Sequence, residues 1–225
     1  MEGDEFWWDG LERLLLEHPA LPSELTITIR GERLHLELDA AFGPGLATRR
    51  ESTWRAWEPP PTARHEAYAK LWQRIFGLDV AERSRVLSEL RQWAGPAPSV
   101  EPSHRALRPT ELATLAASPL VEIGAHTVSH PALALQRAQE QLAEIAACKT
   151  ALETLVGRSV TSFSYPFGRT CDYSRETVEL VRRSGFARAC TNIPGVLRAG
   201  DDPFQLPRLH VGDWTGEEFA ARLRH

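Results

Sequence analysis

Cysteine is scarce in this chain of 225 residues: the three thiols, Cys148, Cys171 and Cys190, are odd in number and nowhere form a CxxC pair. That excludes a disulfide framework and a zinc ribbon, and leaves small buried thiols as the expected use. Long apolar runs are also missing. Nothing reaches the roughly 18 consecutive apolar residues of a membrane-spanning helix. The opening MEGDEFWWDGLERLLLE is acidic and amphipathic, without the positive flank and unbroken apolar core of a secretory leader, so a cytoplasmic protein is expected. Charge of one sign is lacking too. With 26 basic against 30 acidic side chains and a net charge of -4, no electrostatic reason exists to expect nucleic acid or an anionic membrane as partner. No internal repeat or low-complexity tract appears. What remains, 42% hydrophobic and 25% charged residues, is the composition of a soluble globular protein, read as a single domain over 1–225.

Apolar residues at Trp7, Leu11, Leu14 and Leu15 predict a short helix that stops before His18-Pro19. In LTITIRGERLHLEL, Leu25, Ile27 and Ile29 alternate with polar residues, as do Leu34, Leu36 and Leu38. A hairpin with Gly31-Glu32 as its loop would pair 29 with 34, 27 with 36 and 25 with 38, all apolar on one face. Residues 40–62 read as a connection rich in Gly, Pro and charge, with Trp54 and Trp57 folding back as core rather than stacking on sugars. Two helices follow, one carrying Tyr68, Leu71, Trp72 and Ile75, the other Val86, Leu87, Leu90 and Trp93 with Asp79 and Glu82 at capping-box spacing. Residues 23–95 thus form an α+β insertion or cap. The proline-rich stretch Gly95 to Pro109 is the clearest internal boundary.

Beyond it the rhythm changes to helices alternating with short buried strands. Thr110 caps a helix with Leu112 and Leu115. LVEIGAH is a strand, and Leu135, Leu142, Ile145, Leu152 and Leu155 form a helical stripe ended by Gly157. SVTSFSYPFG and ARACTNI are strands around a helix ETVELVRRSGF, and a last helix starts at Thr215 with Glu218 as capping partner. This alternation indicates a parallel α/β sheet or barrel.

In such folds functional groups gather at the carboxyl ends of the strands. His126 sits where LVEIGAH ends, and His130 follows four residues on, a spacing that within one helical turn places both rings on one side. Two neutral imidazoles supply half of a tetrahedral zinc shell. HxxxH alone is a weak signal, more often the mark of a surface or capping pair than of a ligand set; the strand-end position, the small Gly124 and Ala125, and the stop at Pro131 raise it. The second candidate is Ser164-Tyr165-Pro166-Phe167-Gly168, a turn able to aim a backbone N–H at a developing oxyanion, or an ordinary strand-to-loop turn.

Together GAHTVSHP, SFSYPFG, GFARACTNIPG and DPFQLPRLHV resemble the NodB-like polysaccharide deacetylases of carbohydrate esterase family 4, especially the branch that begins with a segment like EFWWDGLERLL, over nearly the whole chain. The resemblance implies a deformed (β/α) barrel that removes N- or O-acetyl groups from sugars with a divalent metal, usually zinc, held by the histidines of an HTVSH-like motif and an aspartate. His126 and His130 match that pair. Tyr165, Pro166, Phe167 and Gly168 match the loop lining the substrate groove, with the Phe167 N–H facing the acetyl carbonyl. Ser164 stands where many relatives have arginine, so charge tuning by that group is lost or supplied otherwise. His210 falls near a second catalytic histidine, against the plainer reading of a polar strand residue.

The motif like TFDDG, whose aspartates serve relatives as general base and third metal ligand, has no counterpart before Phe6, and Asp4 and Asp9 lie in the wrong context. The expectation is therefore an incomplete α/β barrel of NodB type with an α+β insertion, its open edge covered by a homodimer mate or another partner. Its expected cofactor is a divalent metal, zinc, and its expected substrate a carbohydrate. The alternatives are a non-catalytic carbohydrate-binding pseudoenzyme and an amidase acting on small cyclic amides.

Overall fold

The computed structural model describes residues 5–38, 54–56, 58–96 and 105–223. Trp57 and most of the 40–62 connection lie outside the described residues, as do 97–104 of the proline-rich stretch. The chain divides into two compact units, Met1–Leu112 and Ala113–His225, close to the boundary that the prolines mark.

In the first unit, α1 (Trp7–Glu12) runs into a π-helical turn, Arg13–Glu17, which ends before Pro19. Strands β1 (Glu24–Ile29) and β2 (Glu32–Glu37) form an antiparallel hairpin, followed by α2 (Ala63–Phe76) and α3 (Val80–Ala94). The hairpin register differs from expectation. Its turn is Arg30-Gly31, with φ of 50° and 78°, and Ile29 faces Glu32, Ile27 faces Leu34 and Leu25 faces Leu36. Tight two-residue hairpin turns often need positive φ at both central positions, and this register spares Glu32 that conformation by shifting the pairing two residues. Because side chains alternate with period two, the shift keeps Leu25, Ile27, Ile29 and Leu36 on the buried face. They pack with Leu11, Leu15, Leu71, Ile75, Val86 and Leu90 in one core. Trp54 folds back onto α2, edge-on to His65 and Tyr68.

A fully buried guanidinium closes this unit: Arg64 donates from Nη1 to the His18 carbonyl at 2.6 Å and to the Leu15 carbonyl at 3.4 Å. These carbonyls belong to the end of the first helical segment, where acceptors have no intrahelical donor. Arg64→Ala would strand them in the core and leave a cavity. The expected result is a loss of about 2–4 kcal/mol in urea denaturation, with Arg64→Met, which refills the volume, recovering only part.

The second unit begins within α4 (Pro109–Ala116). It continues through a 3₁₀ turn Leu133–Leu135, α5 (Ala138–Val156), β3 (Ser162–Ser164), α6 (Arg175–Arg183), β4 (Arg188–Pro194), β5 (Leu206–Arg208) and α7 (Gly216–Arg222). Strands β3, β4 and β5 pair in parallel in that order. The expected LVEIGAH strand is reduced to one parallel bridge, Ala125 with Phe163, made by Ala125 N–H to the Ser162 carbonyl (2.8 Å) and Ser164 N–H to the Ala125 carbonyl (2.9 Å). The chain is thus of mixed α/β class, and its parallel strands form an open sheet among the described residues, in keeping with an incomplete barrel. Helix α7 starts at Thr215 in a capping box with Glu218, as the sequence implied.

Helix α5 buries a different stripe from the one its leucines suggested. Gln141, Ile145 and Cys148 face inward, while Leu142 and Leu155 are exposed and Leu135 lies in the preceding 3₁₀ turn. Gln141 is satisfied in its buried place: its amide donates to the Gln136 carbonyl and accepts from the Thr177 hydroxyl. The core gathers Ile145, Val160, Phe163, Tyr165, Tyr173, Val181, Phe186 and Phe204. Among the described residues no helix is long and apolar enough to cross a membrane.

Candidate functional site

The bridge at Ala125 and the end of β3 at Ser164 bring two strand ends side by side, and the two candidate motifs leave from them. The segment after His126 is no helical turn. Thr127 and His130 have φ of 66° and 54°, left-handed values that L-residues seldom adopt. The turn nevertheless places the imidazoles together, with ring centroids 4.6 Å apart and the planes at 78°. Of the four described non-glycine residues with positive φ, three are Thr127, His130 and Phe167, and the fourth is in the hairpin turn. Backbone strain gathered at one place suggests a function that needs the geometry.

Three sets of bonds hold this turn. The His126 Nδ1 lies 2.6 Å from the Ser164 carbonyl, an acceptor only, so Nδ1 carries the proton and Nε2 keeps its lone pair. Thr127 Oγ1 accepts the His130 N–H at 3.1 Å. Glu144 of α5 receives the Val128 N–H (2.9 Å), the Ser129 N–H (2.8 Å) and the Ser129 hydroxyl (2.7 Å). One turn further along α5, burial pushes the Cys148 thiol pKa up, while hydrogen bonding from the His126 and Thr127 backbone works against that shift. Two left-handed L-residues cost about 1–2 kcal/mol each. Bonds to a carboxylate return about 1.5–3 kcal/mol apiece, so Glu144 alone is enough to offset the strain.

The second motif turns abruptly. Gly168 N–H meets the Pro166 carbonyl at 2.6 Å across Phe167, whose φ of 59° makes this the rarer, strained form of γ-turn. The Phe167 ring packs edge-on to His130 with centroids 4.6 Å apart. Its neighbours turn inward instead. Tyr165 is buried, stacks on Tyr173 at 4.4 Å and donates its hydroxyl to the Phe204 carbonyl at 2.9 Å; burial raises its pKa far above the ordinary phenol value. Pro166 and Gly168 are buried as well, so Phe167 is the member of this loop that reaches the histidines. His210 is exposed, two residues past β5. A residue that sequence reasoning missed is Arg208, the last of β5. Its Nη2 donates to the Ser164 hydroxyl at 2.8 Å, and its charge acts on His126. The serine thus ties a cation from another strand to the rim.

Residues 88–189 match the polysaccharide deacetylase family. The match includes both motifs and stops before β5, covering less of the chain than the resemblance read from sequence. Three solved structures align in part. The deacetylase PplD from Streptococcus pyogenes in complex with acetate is 21% identical, with TM-score 0.49 over 54% of this chain and 52% of that one. A polysaccharide deacetylase from Bacillus cereus is 22% identical, with TM-score 0.47 over 63% and 46%. The BpsB deacetylase domain from Bordetella bronchiseptica is 18% identical, with TM-score 0.41 over 51% and 55%. The chain therefore spans about half the length of these structures. No curated protein is matched.

The two histidines offer a divalent metal two donors of suitable kind. Neutral imidazole is a common zinc ligand, and a backbone carbonyl on the far nitrogen is the usual device that orients it. Among the described residues, no group of three or more His, Cys, Asp or Glu side chains is gathered to complete a shell. The residues present therefore fit half of a tetrahedral site.

The surroundings of His126 also disfavour its charged form. Loss of surrounding water lowers its pKa most, the Ser164 carbonyl opposes the shift, and Arg208 adds to it. In metal-free protein the His126 ring should titrate below the ordinary value of about 6.5, and Arg208→Gln should move its NMR midpoint upward. The unfolded chain then takes up the proton first, so folding loses stability as pH falls from about 6.5 toward the depressed folded value.

Proposed function

We propose that this chain carries the histidine half of a divalent-metal deacetylase centre that removes acetyl groups from N-acetylated sugars. One observation supports the reading above others: His126 and His130 lie together at a strand-end rim, and the Ser164 carbonyl fixes the His126 tautomer with Nε2 available. Zinc is the metal this donor set suits, and when bound it supplies Lewis-acid polarisation of the acetyl carbonyl and activation of water. The chain's own groups contribute three parts. His126 and His130 hold the cation. Phe167, edge-on to His130, forms an apolar wall against which the acetyl methyl rests, and the strained turn beneath it directs the loop's backbone toward the carbonyl oxygen. Arg208 adds fixed positive charge that favours a developing oxyanion.

The deciding experiment supplies zinc and acetylated chito-oligosaccharides and follows acetate release, with a His126→Ala, His130→Ala variant as control. Acetate release lost in that variant supports the proposal. Sugar binding by calorimetry without acetate release would make the chain a binding module instead. Ring opening of a cyclic imide in place of deacetylation would reassign it as an amidase.

A further inference from the structure

We infer that Glu144 is a positioning residue for the histidine turn: its carboxylate, accepting three hydrogen bonds from Val128 and Ser129, sets the geometry in which His126 and His130 share one ligand. This inference rests on the proposed metal centre, but it concerns a residue outside the ligand pair.

Val128 is exposed, and the single bridge at Ala125 lies before the first ring. What fixes the turn from below is α5. Both backbone N–H groups of Val128 and Ser129 converge on one oxygen of Glu144, and the Ser129 hydroxyl bonds the other. Two successive N–H groups aimed at one carboxylate oxygen pin the peptide plane between them, and that plane sits midway between the two imidazole-bearing residues. Thr127 and His130, on either side, are the residues with left-handed φ. Without the carboxylate, the turn loses these three bonds and relaxes toward ordinary φ, which swings the His130 ring relative to His126. Ile145 and Cys148, buried on the same helix, root the carboxylate in the core, so the helix itself is the rigid element behind the turn. Outer groups that orient ligands in this way typically govern metal affinity by about 10- to 100-fold.

The test compares Glu144→Ala and Glu144→Gln with the unaltered chain by zinc calorimetry and, on metal-free protein, by the ¹⁵N shifts of the histidine rings. Glu144→Ala should weaken zinc binding about 10- to 100-fold and blur the single His126 tautomer into a mixture. Glu144→Gln keeps an oxygen able to accept both N–H groups, so it should rescue most of the affinity and the tautomer. Leu152→Ala on the same helix provides the control, because it loosens packing without touching the turn and should leave zinc affinity unchanged. If Leu152→Ala weakens zinc as much as Glu144→Ala, or if folded Glu144→Ala retains both affinity and ring shifts, the positioning role is overturned. Should Glu144→Ala not fold, the Gln variant decides: affinity and shifts like the unaltered chain support the role, and an Ala-like loss opposes it. Failure of the unaltered chain to bind zinc would sink the metal reading itself, and the ring shifts would still decide whether Glu144 positions the turn.

Discussion

Gly168→Ala should be the most damaging single substitution in the second unit, lowering its stability by about 2–5 kcal/mol in chemical denaturation. Two independent terms add. The residue has φ of +68°, where an L side chain costs about 1–2 kcal/mol. A Cβ there would also stand 2.7 Å from the Asn192 backbone nitrogen and 3.0 Å from the Asn192 Cβ. Neither neighbour moves easily, because the Asn192 N–H is bonded to the Gly168 carbonyl at 2.8 Å and Asn192 belongs to β4. Overpacking against fixed backbone typically adds about 1–3 kcal/mol. Gly157, which closes α5 with φ of +66° and would meet nothing within 4 Å if it carried a methyl group, isolates the first term. Its alanine variant should lose only about 1–2 kcal/mol. If the two variants proved equally mild, the close approach of the 166–168 turn to β4 would not exist in solution, and the placement of Phe167 against His130 would lose its support.

How far the sequence announced this arrangement depends on the kind of signal. Alternation in LTITIR and LHLEL names the buried face of the hairpin, because a two-residue change of register leaves that face intact, but it cannot name the pairing, which the turn conformation at Arg30-Gly31 decides. In α5 the leucines mislead: Leu142 and Leu155 are exposed while Gln141 is buried, since a hydrogen bond from Thr177 and one to Gln136 remove the penalty for hiding an amide. The Gln141–Thr177 pair joins residues 36 apart and leaves no periodic trace. The site shows the same division. Two histidines four apart at the end of an apolar run are legible, and so is a Pro-Phe-Gly turn. The support beneath them is not, because Glu144 reads as one more polar residue on an amphipathic helix and Arg208 as a surface charge on a short strand. The expected helical turn between the histidines gave the correct proximity for the wrong reason. Left-handed φ at Thr127 and His130, held by a carboxylate, does what i, i+4 helical spacing would have done.

His126→Ala and His130→Ala should each weaken zinc binding by more than the roughly 10- to 100-fold that loss of an outer-shell group costs, and the double variant should bind no better than the unfolded chain. A two-imidazole clip has no redundancy: removing either ring leaves one protein donor, and one donor gives no chelate. The two single variants should differ in a second respect. His126 is tied to the Ser164 carbonyl, so its loss frees a backbone acceptor at the end of β3, a cost in stability of about 1 kcal/mol. His130 contributes its ring to the edge contact with Phe167, so its loss should loosen the 166–168 turn, visible as faster amide exchange at Gly168 and Asn192. The pH dependence follows from the same geometry. Only neutral imidazole binds metal, and the fold already disfavours the charged form of His126, so zinc binding should persist below pH of about 6.5, the ordinary imidazole value, and fail when His126 at last takes up a proton. Zinc affinity that survives in His126→Ala would place the cation elsewhere on the molecule, and the rim formed by Ala125, Ser164 and the strained turn would then need a different explanation.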